Sequence, residues 1–173
     1  LDTSGLLLVA KTLTIASALQ RLFSLRLINK QYVAWLDGDV TGDHGHITLP
    51  LRIDVDDRPR NIHDPIFGKP ADTEWRVLAR EHGRTRVQFT PHTGRTHQIR
   101  VHAAWLGHAL VGDALYGGRP QWGMERQALH ATRLELVHPV SGEPLTFLSE
   151  PPEDFMNALA LSGLRYNAAY WGG

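Results

Sequence analysis

Short apolar runs separated by polar punctuation divide the chain, and the period of each run predicts an element. Ser4-Gly5 leads into Leu6–Ala10, the longest purely apolar run, and Leu6 to Val9 reads as a buried strand. Thr12 or Thr14 can cap a helix over residues 14–26, where Ile15, Leu19, Leu22 and Phe23 share one stripe. Gln31–Leu36 is aromatic and β-branched and stops at Asp37-Gly38, which predicts a strand. Its period of two puts Tyr32 and Ala34 on one face and Val33 and Trp35 on the other.

Residues 41–72 are dense in Gly, Asp, His and Pro, with short strand signals around Ile47 to Leu51, and read as a long excursion outside the core. Thr73–Leu78 and Thr85–Thr90 predict strands joined by a hairpin turn at Glu81-His82-Gly83. Pro91-His92-Thr93-Gly94 breaks the second, and Thr96 can cap a helix with Ile99, Ala103 and Leu106 as its stripe, ending at Gly107. Leu129–Val137 and Leu145–Leu148 flank Pro139-Val140-Ser141-Gly142 in a hairpin pattern; Pro151-Pro152 then ends the sheet. Adjacent strands with few helices define an α+β fold with a mixed, largely antiparallel sheet. The expected division is a catalytic-type domain over residues 1–155 and a terminal helix and tail over 156–173.

Composition narrows the classes. At 173 residues with 42% hydrophobic and 21% charged positions, the chain has the make-up of one folded domain. Absence of cysteine excludes disulfides and thiolate zinc sites and is compatible with the cytoplasm, the expected location. Leu6–Ala10 is far short of the ~20 residues a spanning helix needs, so no membrane segment is expected. A net charge of zero argues against a polyanion binder on totals alone, but the charge is unevenly distributed. Residues 76, 80, 84, 86, 95 and 100 are arginines with only Glu81 among them, whereas 134–155 holds five acids and no Lys or Arg. The middle of the chain is therefore the expected phosphate-facing part. Ten histidines, including His44-x-His46 and the pair His97 and His102, raise a metal site. Neither cysteine nor a His-Glu-x-x-His pattern accompanies them, so none is expected. Ser4 lacks the Gly-x-Ser-x-Gly elbow of a hydrolase.

Five ordered segments carry a resemblance: Thr3-Ser4-Gly5-Leu6-Leu7-Leu8-Val9-Ala10-Lys11, Lys30-Gln31-Tyr32-Val33-Ala34, Gly68-Lys69-Pro70-Ala71-Asp72-Thr73-Glu74, Thr93-Gly94-Arg95-Thr96-His97-Gln98-Ile99-Arg100-Val101-His102, and Leu129-His130-Ala131 with Leu134 and His138-Pro139. In order and spacing they resemble the RluA-like RNA pseudouridine synthases. That family opens its site with His-Arg-Leu-Asp, two variable residues and Thr-Ser-Gly, the aspartate being the nucleophile. Aligned without gaps, this aspartate falls immediately before Leu1, and Asp2 is the second variable position. Only a gapped alignment makes Leu1-Asp2 the Leu-Asp of the motif. The expectation is an amino-terminally truncated catalytic domain, inactive by itself.

The resemblance implies an isomerase that converts uridines of ribosomal or transfer RNA to pseudouridine without cofactor or metal. It makes Arg100 the partner that keeps the nucleophile ionised, and Tyr32 the ring that stacks on uracil and takes part in proton transfer. Arg95, and less directly His97, would contact the RNA backbone at a turn entering a helix. The competing expectation is a non-catalytic RNA-binding domain or inactive fragment.

Overall fold

The computed structural model describes residues 2–161. In chain order the elements are β1 (Ser4–Gly5), α1 (Leu13–Ser24), β2 (Asn29–Asp37), β3 (His44–Thr48), β4 (Leu51–Ile53), β5 (Asn61–His63), β6 (Asp72–Glu81), β7 (Arg84–Pro91), α2 (Gln98–Trp105), a 3-10 turn (Ala114–Tyr116), β8 (Leu129–Val137), β9 (Pro144–Leu148) and α3 (Glu153–Leu161). One sheet runs β1-β8-β2-β7-β6-β3, with β9 beside β8, and β4 and β5 form a separate ribbon. β1 and β8 are parallel and the other pairs antiparallel, giving the expected α+β fold.

Alternation along β2 builds two cores. Ala34 and Leu36 join Val87 and Phe89 of β7 and Ile99 and Ala103 of α2 on one face. Val33 and Trp35 join Val111, Met124, Phe155, Ala158 and Leu159 on the other. Trp35 sits edge-on to Trp122 and Phe155 with centroids 5.5 and 5.4 Å away, the geometry that the aromatic quadrupole favours. The β6–β7 hairpin turns at His82 and Gly83, both with positive φ, which matches the right-handed strand twist.

Several expectations need correction. Leu6 to Val9 is not a buried strand: pairing stops at Gly5, and Leu7 and Val9 are 85% and 71% exposed. Beyond Ala131 the edge of β8 is taken by β9, which pairs with Arg133 to Val137, so the run has no strand beside it and only its alternate residues Leu6, Leu8 and Ala10 find cover, against Leu19, Ile28, Leu134 and Leu136. Gly5 itself has φ +96, and a Cβ there would lie 2.2 Å from the Ala131 carbonyl oxygen, so close pairing with β8 requires glycine. The 41–72 stretch is not outside the core, because Ile47, Leu49, Leu51 and Ala71 are buried in the first cluster. Helix α1 starts at Leu13, with Thr12 accepting from the Ile15 amide. Helix α2 is not capped by Thr96: its N-cap is His97, left-handed at φ 56 and without a side-chain cap bond. Helix α3 spans Glu153–Leu161, and the tail at 162–173 lies outside the described residues.

Candidate functional site

A cavity of about 850 Å³ opens between the segment 2–7, the start of β2 and the turn 93–97 that leads into α2. It brings together Tyr32, Arg95, His97 and Arg100, with Asp2 also on its wall. Tyr32 reaches it from an irregular point in the sheet. Gln31 faces Arg133 while Tyr32 faces Ala131, so β8 carries one extra residue, Thr132, whose hydroxyl donates to the Gln31 carbonyl. Bulges of this kind re-aim neighbouring side chains. Burial pushes the Tyr32 phenol above its ordinary pKa, so the ring presents a neutral hydroxyl at neutral pH.

The 93–97 turn is held by Gln98, a buried residue 4% exposed. Its Oε1 accepts from the Thr93 hydroxyl and the Arg95 amide, and its Nε2 donates to the Asp72 carbonyl and the Thr73 hydroxyl. The turn is thereby stapled to β6, and the Arg95 amide is used in this staple instead of facing a ligand. Arg95 lies along the surface with Nε donating to the Pro70 carbonyl.

Arg100 is held by a carboxylate that sequence reasoning missed. Its Nε and Nη2 donate at 2.7 and 2.6 Å to the two oxygens of Asp113, a side chain with no solvent exposure. Burial opposes the Arg100 charge, but the hydrogen bonds and charge of Asp113 outweigh it and raise the guanidinium pKa further; Asp2 contributes in the same direction. Nη1 has no partner among the described residues. The Arg100 guanidinium also lies 4.9 Å from the centre of the Tyr116 ring, within cation–π range. Tyr116 bonds His97 Nδ1 through its hydroxyl at 2.9 Å and accepts from the Asn61 amide at 2.8 Å, which ties the β4–β5 ribbon to the cavity. Burial and the Arg100 charge lower the His97 pKa.

The opening segment is anchored from below. Arg126 donates to the Asp2 carbonyl at 2.8 Å while pairing in bidentate fashion with Asp154. His130 Nε2 lies 3.0 Å from the Ser149 carbonyl and must carry the proton, so Nδ1 accepts from the Ser4 hydroxyl at 2.9 Å. Ser4 is thus part of a fastening for the segment on which Asp2 sits.

The arginines of 76–100 do not form one phosphate-facing surface. Arg80 pairs with Asp43, Arg84 with Asp37, and Arg86 is buried in the sheet. Arg76 bonds Gln88 beside a separate cavity, leaving only Arg95 and Arg100 at the large one. Among the described residues no group of three His, Cys, Asp or Glu side chains is placed to hold a metal ion. Asp113 and Tyr116 had one sequence signal, the glycine-flanked run Gly112-Asp113-Ala114-Leu115-Tyr116-Gly117; Gln98 and Lys30 lay unremarked inside the motifs.

This fold corresponds to a known class. The model of the RNA pseudouridylate synthase family matches residues 1–105. The chain is 37% identical over 171 residues to ribosomal large subunit pseudouridine synthase D of Yersinia pestis, covering 91% of this chain and 52% of that protein. It is 40% identical over 148 residues to the dual-specificity RNA pseudouridine synthase RluA of Haemophilus influenzae, covering 84% and 67%. Human RNA pseudouridylate synthase domain containing 1 superposes with a TM-score of 0.67 at 31% identity, over 83% of this chain and 63% of that one. The human domain containing 4 protein, at 22% identity and a TM-score of 0.72, shares the fold over 90% and 70%. The chain belongs to the RluA-like family of RNA pseudouridine synthases, and it spans about half the length of the synthase D relative.

Proposed function

We propose that this protein isomerises specific uridines to pseudouridine in ribosomal or transfer RNA, in the cytoplasm and without cofactor, through a catalytic unit expected over residues 1–155. The observation that carries the reading is the convergence of Tyr32, Arg95, His97 and Arg100, far apart in sequence, on one cavity with Asp2. The N1–C1′ bond of a flipped-out uridine breaks, the base turns within the cavity, and C5 bonds to C1′. C5 loses its proton and N1 gains one, so atoms and electrons balance without an oxidant.

In this scheme Tyr32 stacks on the uracil face and offers its phenol for proton transfer; as a neutral hydroxyl it must pass on its own proton when it accepts one. Arg100, fixed by Asp113, keeps the nucleophilic carboxylate ionised from the side of the unpartnered Nη1. The carboxylate is the aspartate that the ungapped alignment places directly before Leu1, Asp2 filling that role only in the gapped one. Arg95 and His97 meet the RNA backbone.

The test is tritium release from ribosomal and transfer RNA labelled at C5 of uridine, with the chain itself, with His-Arg-Leu-Asp placed directly before Leu1, and with that aspartate changed to alanine. Release that needs the added aspartate and disappears in Arg100→Met supports the assignment. Release by the chain alone moves the nucleophile to Asp2. No release from any form, with RNA binding retained, leaves a binding domain.

A further inference from the structure

Lys30 stands two residues before Tyr32 and lines both the large cavity and a smaller one of about 210 Å³ beside it. Among the described residues its ammonium makes one hydrogen bond, to the Thr93 carbonyl at 3.2 Å, and lies 5.4 Å from the centre of the Phe23 ring. No carboxylate pairs with it among the described residues. An ammonium has three donors, so two are left for the cavity. Its other neighbour is Gly94: a Cβ there would sit 3.7 Å from Nζ, so the missing side chain leaves the charge uncovered on that side. Arg95 follows immediately, with Nε on the Pro70 carbonyl as its only bonded group among the described residues.

This arrangement is poorly explained as scaffolding. Support of one carbonyl needs a single donor, which a neutral side chain would supply without the cost of desolvating a cation. Burial lowers the Lys30 pKa, and an anion would reverse that shift. We propose that Lys30 is a phosphate-binding residue, its ammonium rooted on the Thr93 carbonyl and meeting a backbone phosphodiester of the bound RNA beside Gly94. The inference rests on the RNA-modifying reading above and names a contact within it. A strongly hydrated point charge suits a phosphate oxygen better than a uracil carbonyl, and RNA supplies one such anion per nucleotide.

The probe is a short fluorescein-labelled oligouridylate, with its binding to this chain followed by anisotropy over a salt series. Lys30→Met and Lys30→Gln are expected to bind about tenfold more weakly at low salt, the size of one charge-assisted hydrogen bond. The slope of log Kd against log salt should fall by about 0.7, one single-stranded phosphate. Lys30→Arg should keep the slope. Gly94→Ala, which leaves the charge and puts a methyl beside it, should lose affinity in the same way and tests the proposal even where Lys30→Met melts early. With a methylphosphonate oligouridylate, wild type and Lys30→Met should bind alike.

Weaker binding by Lys30→Met with an unchanged salt slope would make Lys30 a support of the turn and overturn the proposal. So would wild-type affinity in Gly94→Ala. If the wild-type chain binds no oligouridylate at low salt, the RNA reading itself fails. If it binds with a slope indifferent to residue 30, only this inference fails.

Discussion

Arg100 is a cation in a nearly closed setting, and Asp113 is what makes that tenable. Removing one partner of a buried pair strands the other charge at a cost of about 3–5 kcal/mol, whereas replacing both with apolar groups of similar size is often close to neutral. Asp113→Ala should therefore destabilise the protein by about that amount in urea unfolding, and Arg100→Met with Asp113→Leu should recover most of it. Asp113→Asn should fold but hold the guanidinium loosely, lowering kcat in the tritium assay more than it raises KM. A stability change below about 1 kcal/mol in Asp113→Ala would mean that solvent reaches the pair and that Asp113 is no anchor.

A second residue sets an acid limit. His102 is fully buried, with Nδ1 2.9 Å from the Thr73 hydroxyl, and burial lowers its pKa to about 4. Burial keeps the imidazole neutral at neutral pH while the Thr73 hydroxyl, which also accepts from Gln98, stays in hydrogen-bond contact with it. The unfolded chain takes up the histidine proton near pH 6.5, and the folded one not until about 4. Between those values the unfolded state binds more protons, so stability falls as the pH falls through the window. The loss amounts to on the order of 3 kcal/mol at its acid end. His102→Gln should flatten the fall in urea midpoint between pH 6.5 and 4; a parallel fall in both proteins would place the titration elsewhere.

At the scale of elements, what was legible follows from what is local. The two faces of β2, the β6–β7 hairpin and the Ile15, Leu19 and Leu22 part of the α1 stripe follow from period and turn chemistry within a few residues, whereas Phe23, expected on that stripe, is exposed. The cap of α2 departs from the local signal: the N-cap is His97 and not Thr96, and the turn before it is held by Gln98, which lies inside the helix and bonds backward to Thr93 and Arg95. Asp113 was not legible as Arg100's partner because nothing local links positions 13 apart across a helix end. Leu6 to Val9 was misread because an apolar run shows appetite for cover but not whether a sheet edge lies beside it. β1 tests this last point. Gly5→Ala drives a Cβ into the Ala131 carbonyl, and Leu6, which donates to that carbonyl at 3.1 Å, should lose its bond. Amide exchange at Leu6 should speed up well ahead of any change at β2 or β7. Uniform acceleration across the sheet would show instead that β1 belongs to the global folding unit.

At the scale of the whole molecule, the proposed RNA substrate raises the question of how a chain of zero net charge would attract a polyanion. Long-range steering by total charge is unavailable, so affinity has to come from a few cations at the cavity. Most of the arginines that looked basic in sequence are already engaged: Arg80 and Arg84 are paired with acids, and Arg76 sits by another cavity across β3, β6 and β7. Only Arg95 and Lys30 combine a place on the large cavity wall with charges that no carboxylate neutralises among the described residues. Each should contribute about 0.7 to the salt slope, so log Kd for oligouridylate should rise with log salt with a slope near 1.4, shallow for an RNA-binding protein. Arg95→Ala should halve that slope, while Arg76→Ala and Arg80→Ala should leave it unchanged although they remove the same formal charge. Equal losses from all three would mean that RNA responds to the summed charge of the 76–100 stretch. A loss confined to Arg95 would mean that the fold has dispersed most of that stretch and left its field at the cavity mouth.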